Sequence, residues 1–301
     1  MQYIILDLEW NGVYSKKLKR YFNEIIEFGA VRLDEHRRLT DSFRMFVRPQ
    51  VTSQLSKVVT DLTSLSIDDL EQGFSFPKVV RHFSRWIGSE ETILMTWGDT
   101  DLHMLLENCQ YFFHSNRIPF LKRYMDVQQY CQSKLEGTKN TGLQLGLSKA
   151  AQQIGIELDE NEMHRALDDS RVAGEIFAKL FDEESFCPYV KDATVDEFYD
   201  RLTFKNTVVN DIQSPLIDRR ALQFCCPDCG NPVEQNSPWL FRHRSFRGEF
   251  LCRHCNKKYH ARVQFKQTYD GMEIKRSIFP CKEDADQEKE KEVQPSVPEG
   301  A

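Results

Sequence analysis

The opening run of the chain leaves little choice of fold. Tyr3-Ile4-Ile5-Leu6 is apolar without alternation, the pattern of a strand buried in the middle of a sheet, and it leads straight into Asp7-Leu8-Glu9-Trp10. Residues two apart on a strand share a face, so the end of a central strand carries two carboxylates side by side. Such a pair repels itself and is costly to bury unless a cation lies between the two. A solvated strand edge would remove the cost, but the apolar lead-in argues against an edge.

The strand Gln2–Leu8 is followed by two more strand-like runs, Glu24–Leu33 and Ser42–Val47, with a hairpin through Asp34-Glu35-His36, so the sheet starts antiparallel. Helical periodicity then takes over. Ser75 and Pro77 open a helix to about Ile87, Thr92–Thr96 is a short buried strand, and Asp99 caps a helix through Leu102, Leu105 and Leu106. Further helices are predicted from Asp126, from Leu143 to Ile154, and from Asp168 to Phe181. Strands first, then strands alternating with helices, predict an α/β fold: a mixed sheet flanked by helices over residues 1–185. Residues 186–223 read as a connector packed on that domain, with a short helix at Val195–Leu202, and 224–281 as a small β-rich unit. Residues 282–301 have no aromatics and many Glu, Lys and Pro, and are expected to be a disordered acidic tail.

The net charge of −6 is unevenly spread. Phe224–Cys281 has ten basic against five acidic residues, a surplus of +5, while Lys282–Ala301 carries −4 and Met1–Gln223 therefore −7. A basic module favours phosphate backbones. An acidic body suits a nucleic-acid enzyme only if some of its carboxylates hold metal. No apolar run is long enough to span a bilayer and no signal-like N-terminus is present, so no membrane partner and a cytoplasmic location are expected.

Two further acidic elements follow predicted strands or loops. In Trp97-Gly98-Asp99-Thr100-Asp101, Asp99 suits an N-cap and Asp101 the first helical turn, where it either offsets the helix dipole or faces the sheet. In His164-Arg165-Ala166-Leu167-Asp168-Asp169-Ser170, the two aspartates point about a third of a turn apart, so only one of them can readily join Asp7 and Glu9. Taken in order, these motifs resemble the DEDDh exonuclease superfamily, which includes ribonuclease T and the Eri-type exonucleases. The pattern is Asp-x-Glu on the first strand, Asp early in a middle helix, and His-x-x-x-x-Asp late in the domain. The segment Asn23-Glu24-Ile25-Ile26-Glu27-Phe28-Gly29-Ala30-Val31 is similar to that family's second strand, and Trp97-Gly98 stands where many relatives have Asn before Gly.

The resemblance implies a ribonuclease H-like fold and a 3′→5′ exonuclease. It implies that Asp7, Glu9, Asp101 and Asp169 hold two Mg²⁺ or Mn²⁺ ions, with Asp7 bridging, and that His164 is the general base. The five-residue step from His164 selects Asp169 over Asp168. Carboxylates suit such hard cations, and two of them can stabilise the attacking and leaving oxygens of a phosphodiester. A histidine titrating near 6.5 suits proton abstraction near neutrality.

Of nine cysteines, four form two knuckles, Cys226-Pro227-Asp228-Cys229 and Cys252-Arg253-His254-Cys255. Four thiolates brought together by two tight turns suit one structural Zn²⁺, and the pattern resembles a zinc ribbon. The scattered Cys109, Cys131 and Cys187 are expected in packing roles. Between the knuckles, Trp239, Phe241 and Phe246 alternate with Arg242, Arg244 and Arg247. Basic and aromatic residues so mixed suit a single-stranded nucleic acid, although a small ribbon also needs aromatics for its own core. The expected partner is therefore a single-stranded 3′ end, RNA before DNA, met by Trp10 and Trp97 in the body and by Arg242, Arg244 and Arg247 in the ribbon. Two other readings compete. One is a non-enzymatic ribbon adaptor for nucleic acid or protein, and the other a proofreading module acting in trans with a polymerase.

Overall fold

In the computed structural model, which describes residues 1–137, 144–158 and 165–281, the opening run is the middle of a six-stranded sheet. β1 (Gln2–Ser15), β2 (Arg20–Leu33) and β3 (Leu39–Phe46) form an antiparallel meander. Two short helices, α1 (Lys57–Thr63) and α2 (Ile67–Glu71), precede α3 (Phe76–Ile87). The chain then returns as β4 (Thr92–Thr96), parallel to β1, and continues through α4 (Thr100–Phe113) to β5 (Arg123–Asp126), parallel to β4. Next come α5 (Val127–Glu136), α6 (Leu147–Gln153), α7 (Ala166–Leu180), α8 (Glu183–Phe186), β6 (Lys191–Asp192) and α9 (Asp196–Thr203). Strand order is β3-β2-β1-β4-β5-β6.

The unbroken apolar run of β1 has a simple cause. Alternate side chains enter different cores. Ile4, Leu6 and Leu8 pack with α3 and α4, while Tyr3 and Ile5 pack with α5, α6 and α7. Helices on both faces make an all-apolar strand necessary, and the predicted mixed α/β sheet flanked by helices is what forms.

Some elements differ from their sequence reading. β1 and β2 run on to Ser15 and back from Arg20, well past the apolar runs, because each satisfies the other's backbone through a long hairpin with a bulge at Glu9/Trp10. The helix expected from Leu143 begins at Leu147 among the described residues, and Leu143, His164 and the tail 282–301 lie outside them. Asp99 occupies the N-cap position of α4 but makes no side-chain cap bond; its carboxylate lies 3.7 Å from His103 one turn on. Cys109 and Cys131 are buried as expected, whereas Cys187 is exposed.

Gly29 deserves its place on β2, opposite Asp7. A Cβ there would lie 2.1 Å from the Ala166 carbonyl carbon and the Leu167 nitrogen. Only glycine lets the first turn of α7 rest on the strand backbone.

The chain divides into two units, Met1–Thr203 and Phe204–Ala301. The division falls inside the expected connector of 186–223. Its first part belongs to the sheet domain: Phe186 is buried beside Tyr3, β6 extends the sheet beside β5, and Phe198 and Tyr199 enter the α3–α4 core. Its second part belongs to the other unit, where Ile217, Ala221 and Phe224 join the core and β7 (Thr207–Val208) pairs with a later strand. That second unit is otherwise β8 (Glu234–Gln235), β9 (Leu240–Arg242), β10 (Ser245–Cys252), β11 (Lys257–Thr268) and β12 (Gly271–Pro280), all antiparallel. Among the described residues no helix is long and apolar enough to cross a membrane.

Candidate active site and metal centre

β1 delivers Asp7 and Glu9, and α7, seated on Gly29, delivers Asp169. One carboxylate oxygen from each of the three lies within 4.8 Å of the others. Asp101 comes from the first turn of α4 and is 5% exposed. One of its oxygens accepts the Leu8 N–H at 3.0 Å, so it is tied to the β1 backbone between Asp7 and Glu9. Asp168 goes elsewhere and pairs with Arg171 at 3.3 Å. The structure thus brings together Asp7, Glu9 and Asp169, adds Asp101 beside them, and leaves Asp168 out; His164 is outside the described residues.

The cluster is electrostatically strained. Burial pushes the Asp7 carboxyl well above the usual range, with Asp101, Glu9 and Asp169 adding to it. Burial also raises Glu9 to about 8, with Glu27 and Asp169 contributing, and Asp101 to about 7, against the Leu8 hydrogen bond. Three converging carboxylate oxygens with no cationic side chain among these named causes form a donor set suited to hard divalent cations.

The sign of the resulting pH dependence follows. Below the ordinary carboxylate range both the folded and unfolded chains are protonated there and nothing is lost. As pH rises toward 8, the unfolded chain releases these protons first, so the folded state is progressively disfavoured. Metal-free protein is expected to lose about 2 kcal/mol, or roughly 5 °C in Tm, between pH 5 and 8. Millimolar Mg²⁺ or Mn²⁺ should restore it at pH 8. Thermal melting across pH with and without metal checks this, and a metal-free Tm that rises over the interval would refute it.

Two buried glutamates on β2 support the cluster from beside it without having stood out in the sequence. Glu27, fully buried on β2, stands directly opposite Glu9. It is held by Arg44 Nε at 2.7 Å and by Arg165 Nε at 3.3 Å. Burial raises its carboxyl, and Arg44 counters. Glu24, also fully buried, accepts the backbone N–H groups of Gln50, Val51 and Thr52 and the Thr52 hydroxyl, which ties the segment after β3 to the sheet. The only signal was two glutamates three apart in an otherwise apolar strand. Trp10 and Trp97 are both partly buried in the cores, and the Trp97 indole N–H is donated to the Leu145 carbonyl at 3.2 Å.

In the second unit the four knuckle cysteines meet. Their sulfurs lie within 4.8 Å of one another, with Cys226–Cys255 at 3.9 Å and Cys229–Cys252 at 3.6 Å. A tetrahedron with metal–sulfur bonds of about 2.3 Å has edges of roughly 3.8 Å, so the geometry fits a Cys₄ zinc ribbon. Although burial works against it, the Tyr259 hydroxyl at 3.1 Å and nearby backbone N–H groups draw the Cys226 thiol down to about 6. The ribbon's aromatics mainly build its core: Trp239 lies over Gly248 and packs with Phe224 and Phe250. Arg242, Arg244 and Arg247 are exposed, with Arg244 in the left-handed turn between β9 and β10.

Comparison with known proteins agrees with this geometry. The family model RNase_T, described as exonuclease, matches residues 4–177. The chain is 27% identical over 202 residues to the probable 3′-5′ exonuclease KapD of Bacillus subtilis, covering 65% of this chain and 93% of that protein. It is 26% identical over 171 residues to 3′-5′ exoribonuclease 1 of Homo sapiens, covering 54% of this chain. The match takes in only about half, 48%, of the human protein. Among solved structures, the nuclease domain of 3′hExo, a DEDDh family member bound to rAMP, superposes with a TM-score of 0.53 at 23% identity, covering 64% of this chain and 96% of that one. With a family model spanning more than half its length, the chain belongs to the RNase T exonuclease family.

Proposed function

We propose that this protein removes nucleotides one at a time from the 3′ end of single-stranded RNA, releasing nucleoside 5′-monophosphates. The observation that carries the reading is the convergence of the Asp7, Glu9 and Asp169 oxygens beside a buried Asp101. Two Mg²⁺ or Mn²⁺ ions held by these carboxylates would offset the charge that develops on the transferring phosphoryl group and its attacking and leaving oxygens. Asp7, central to the cluster, would bind both; Glu9 and Asp169 would hold the ion nearer the attacking water; Asp101, half committed to Leu8, would assist. His164 would take the proton from that water. RNA is preferred over DNA on the likeness to proteins named exoribonucleases.

The ribbon would hold one structural Zn²⁺ at Cys226, Cys229, Cys252 and Cys255, in a reducing cytoplasmic setting that keeps the thiols free. Its exposed Arg242, Arg244 and Arg247 would contact phosphates. Trp10 remains a candidate to meet the terminal nucleotide; Trp97 has less freedom for this, with its indole N–H already donated.

Incubating purified protein with end-labelled RNA and DNA oligonucleotides in Mg²⁺, Mn²⁺ or EDTA tests the proposal. Mononucleotides appearing from the 3′ end of RNA, faster than from DNA and absent in EDTA, are expected. Internal cleavage, or hydrolysis that ignores EDTA, would overturn it.

A further inference from the structure

The hairpin between β1 and β2 runs on alone. β4 pairs only with Gln2–Ile5 and β3 only with Glu27–Leu33, so beyond Trp10 and Ile25 the two strands have no neighbouring strand. α4 props one side, through Tyr111 against Phe22 at 5.1 Å and Asn108 on the Asn23 carbonyl at 2.8 Å. The tip itself is exposed. Tyr14 and Tyr21 face each other across the strands, edge to face at 5.7 Å, and are 54% and 72% exposed. Between them the turn reads Lys16-Lys17-Leu18-Lys19-Arg20. Lys17 reaches the Tyr111 hydroxyl and Arg20 pairs with Glu107, while Lys16 and Lys19 make no ion pair among the described residues.

Lysines at a hairpin end can serve only to discourage edge-to-edge association. That role requires no aromatic pair, and although the two rings support each other across the strands, both leave half or more of their surface open. Four cations in five residues also repel one another, and Glu107 offsets only Arg20 among them. Rings with open faces beside clustered cations are what a single nucleic-acid strand needs, bases on the rings and phosphates on the cations. The location fits as well. Tyr14 lies five residues beyond Glu9 on the same strand, roughly 17 Å along it.

We propose that the tip of this hairpin is a second anchor for the substrate, gripping the strand a few nucleotides upstream of the 3′ end through Tyr14, Tyr21, Lys16 and Lys19. This rests on the exonuclease reading above. It places a cationic contact within the acidic body itself, on the strand that carries two of the catalytic carboxylates, and it makes efficiency depend on substrate length.

The test compares wild type with Lys16→Gln/Lys19→Gln and, separately, Tyr14→Ser/Tyr21→Ser, on a ribodinucleotide and on a single-stranded RNA of a dozen or so nucleotides. Both variants should hydrolyse the dinucleotide as wild type does. On the long strand KM should rise about tenfold with little change in kcat. The lysine variant should also flatten the salt dependence of long-strand binding by roughly 1.4 in log–log slope. Because Lys16 and Lys19 are exposed and their side chains make no ion pair among the described residues, that variant also covers the case in which the tyrosine pair proves necessary for hairpin folding. Unchanged long-strand KM and salt slope in the lysine variant would overturn the anchor, and would leave the tip a solvated turn or a protein contact. Failure of wild type on the dinucleotide and the long strand alike would instead count against the exonuclease reading.

Discussion

Asp7→Asn and Asp169→Asn are each expected to lower kcat/KM on single-stranded RNA roughly a thousandfold, about 4 kcal/mol of transition-state stabilisation. Asp168→Asn should stay within about threefold of wild type. The contrast follows from geometry. Asp7 and Asp169 share one cluster with Glu9, whereas Asp168 is turned toward Arg171. A second measurement separates chemistry from folding. Each lost carboxylate relieves repulsion in a buried cluster, so the inactive variants should melt no lower than wild type in metal-free buffer at pH 8, and higher if repulsion dominates. Equal losses for Asp168→Asn and Asp169→Asn in folded protein would show that the wrong aspartate has been assigned.

The second large effect concerns the ribbon. Cys226→Ser/Cys252→Ser, or a strong chelator, is expected to take metal content from one zinc per chain to none and to unfold the second unit. Its core is a small cluster around Phe246, Phe250, Tyr259 and Phe265, with Cys226 and Cys252 themselves buried among them. With two of the proposed ligands buried in that core, a bound metal would contribute directly to the fold, with apparent binding energies on the order of 10 kcal/mol in isolated zinc modules. Hydrogen exchange should show β10 and β11 losing protection while β1 and β4 keep theirs, because the first unit has its own two cores. Dinucleotide hydrolysis should persist. Zinc retained by the double variant would refute the ligand set.

Much of the catalytic half was legible because its signals are local. An all-apolar run ending in Asp7-Leu8-Glu9 reads as a central strand, and the resemblance to the family's His-x-x-x-x-Asp pattern implied Asp169 over Asp168. What escaped depends on pairing. Glu27 matters because the register sets it opposite Glu9, and register is not written in either strand singly. The role of Gly29 appears only when α7 is laid on β2. The boundary at 203/204 was hidden for a related reason: residues 186–203 contribute isolated aromatics and a two-residue strand, which leave no periodicity to read.

The same arrangement bears on when the acidic cluster can first form. Asp7 and Glu9 are made first, but their partner Asp169 arrives 160 residues after Glu9, on a helix that docks on the sheet through the contact at Gly29. A nascent chain, or one truncated before α7, holds Asp7, Glu9 and Asp101 but lacks Asp169, and so has no closed cluster. On the proposed assignment, nuclease activity would have to wait until α7 has docked. Synthesis from the N-terminus would thus close the cluster last, and a chain released before α7 would carry its first three carboxylates without the fourth.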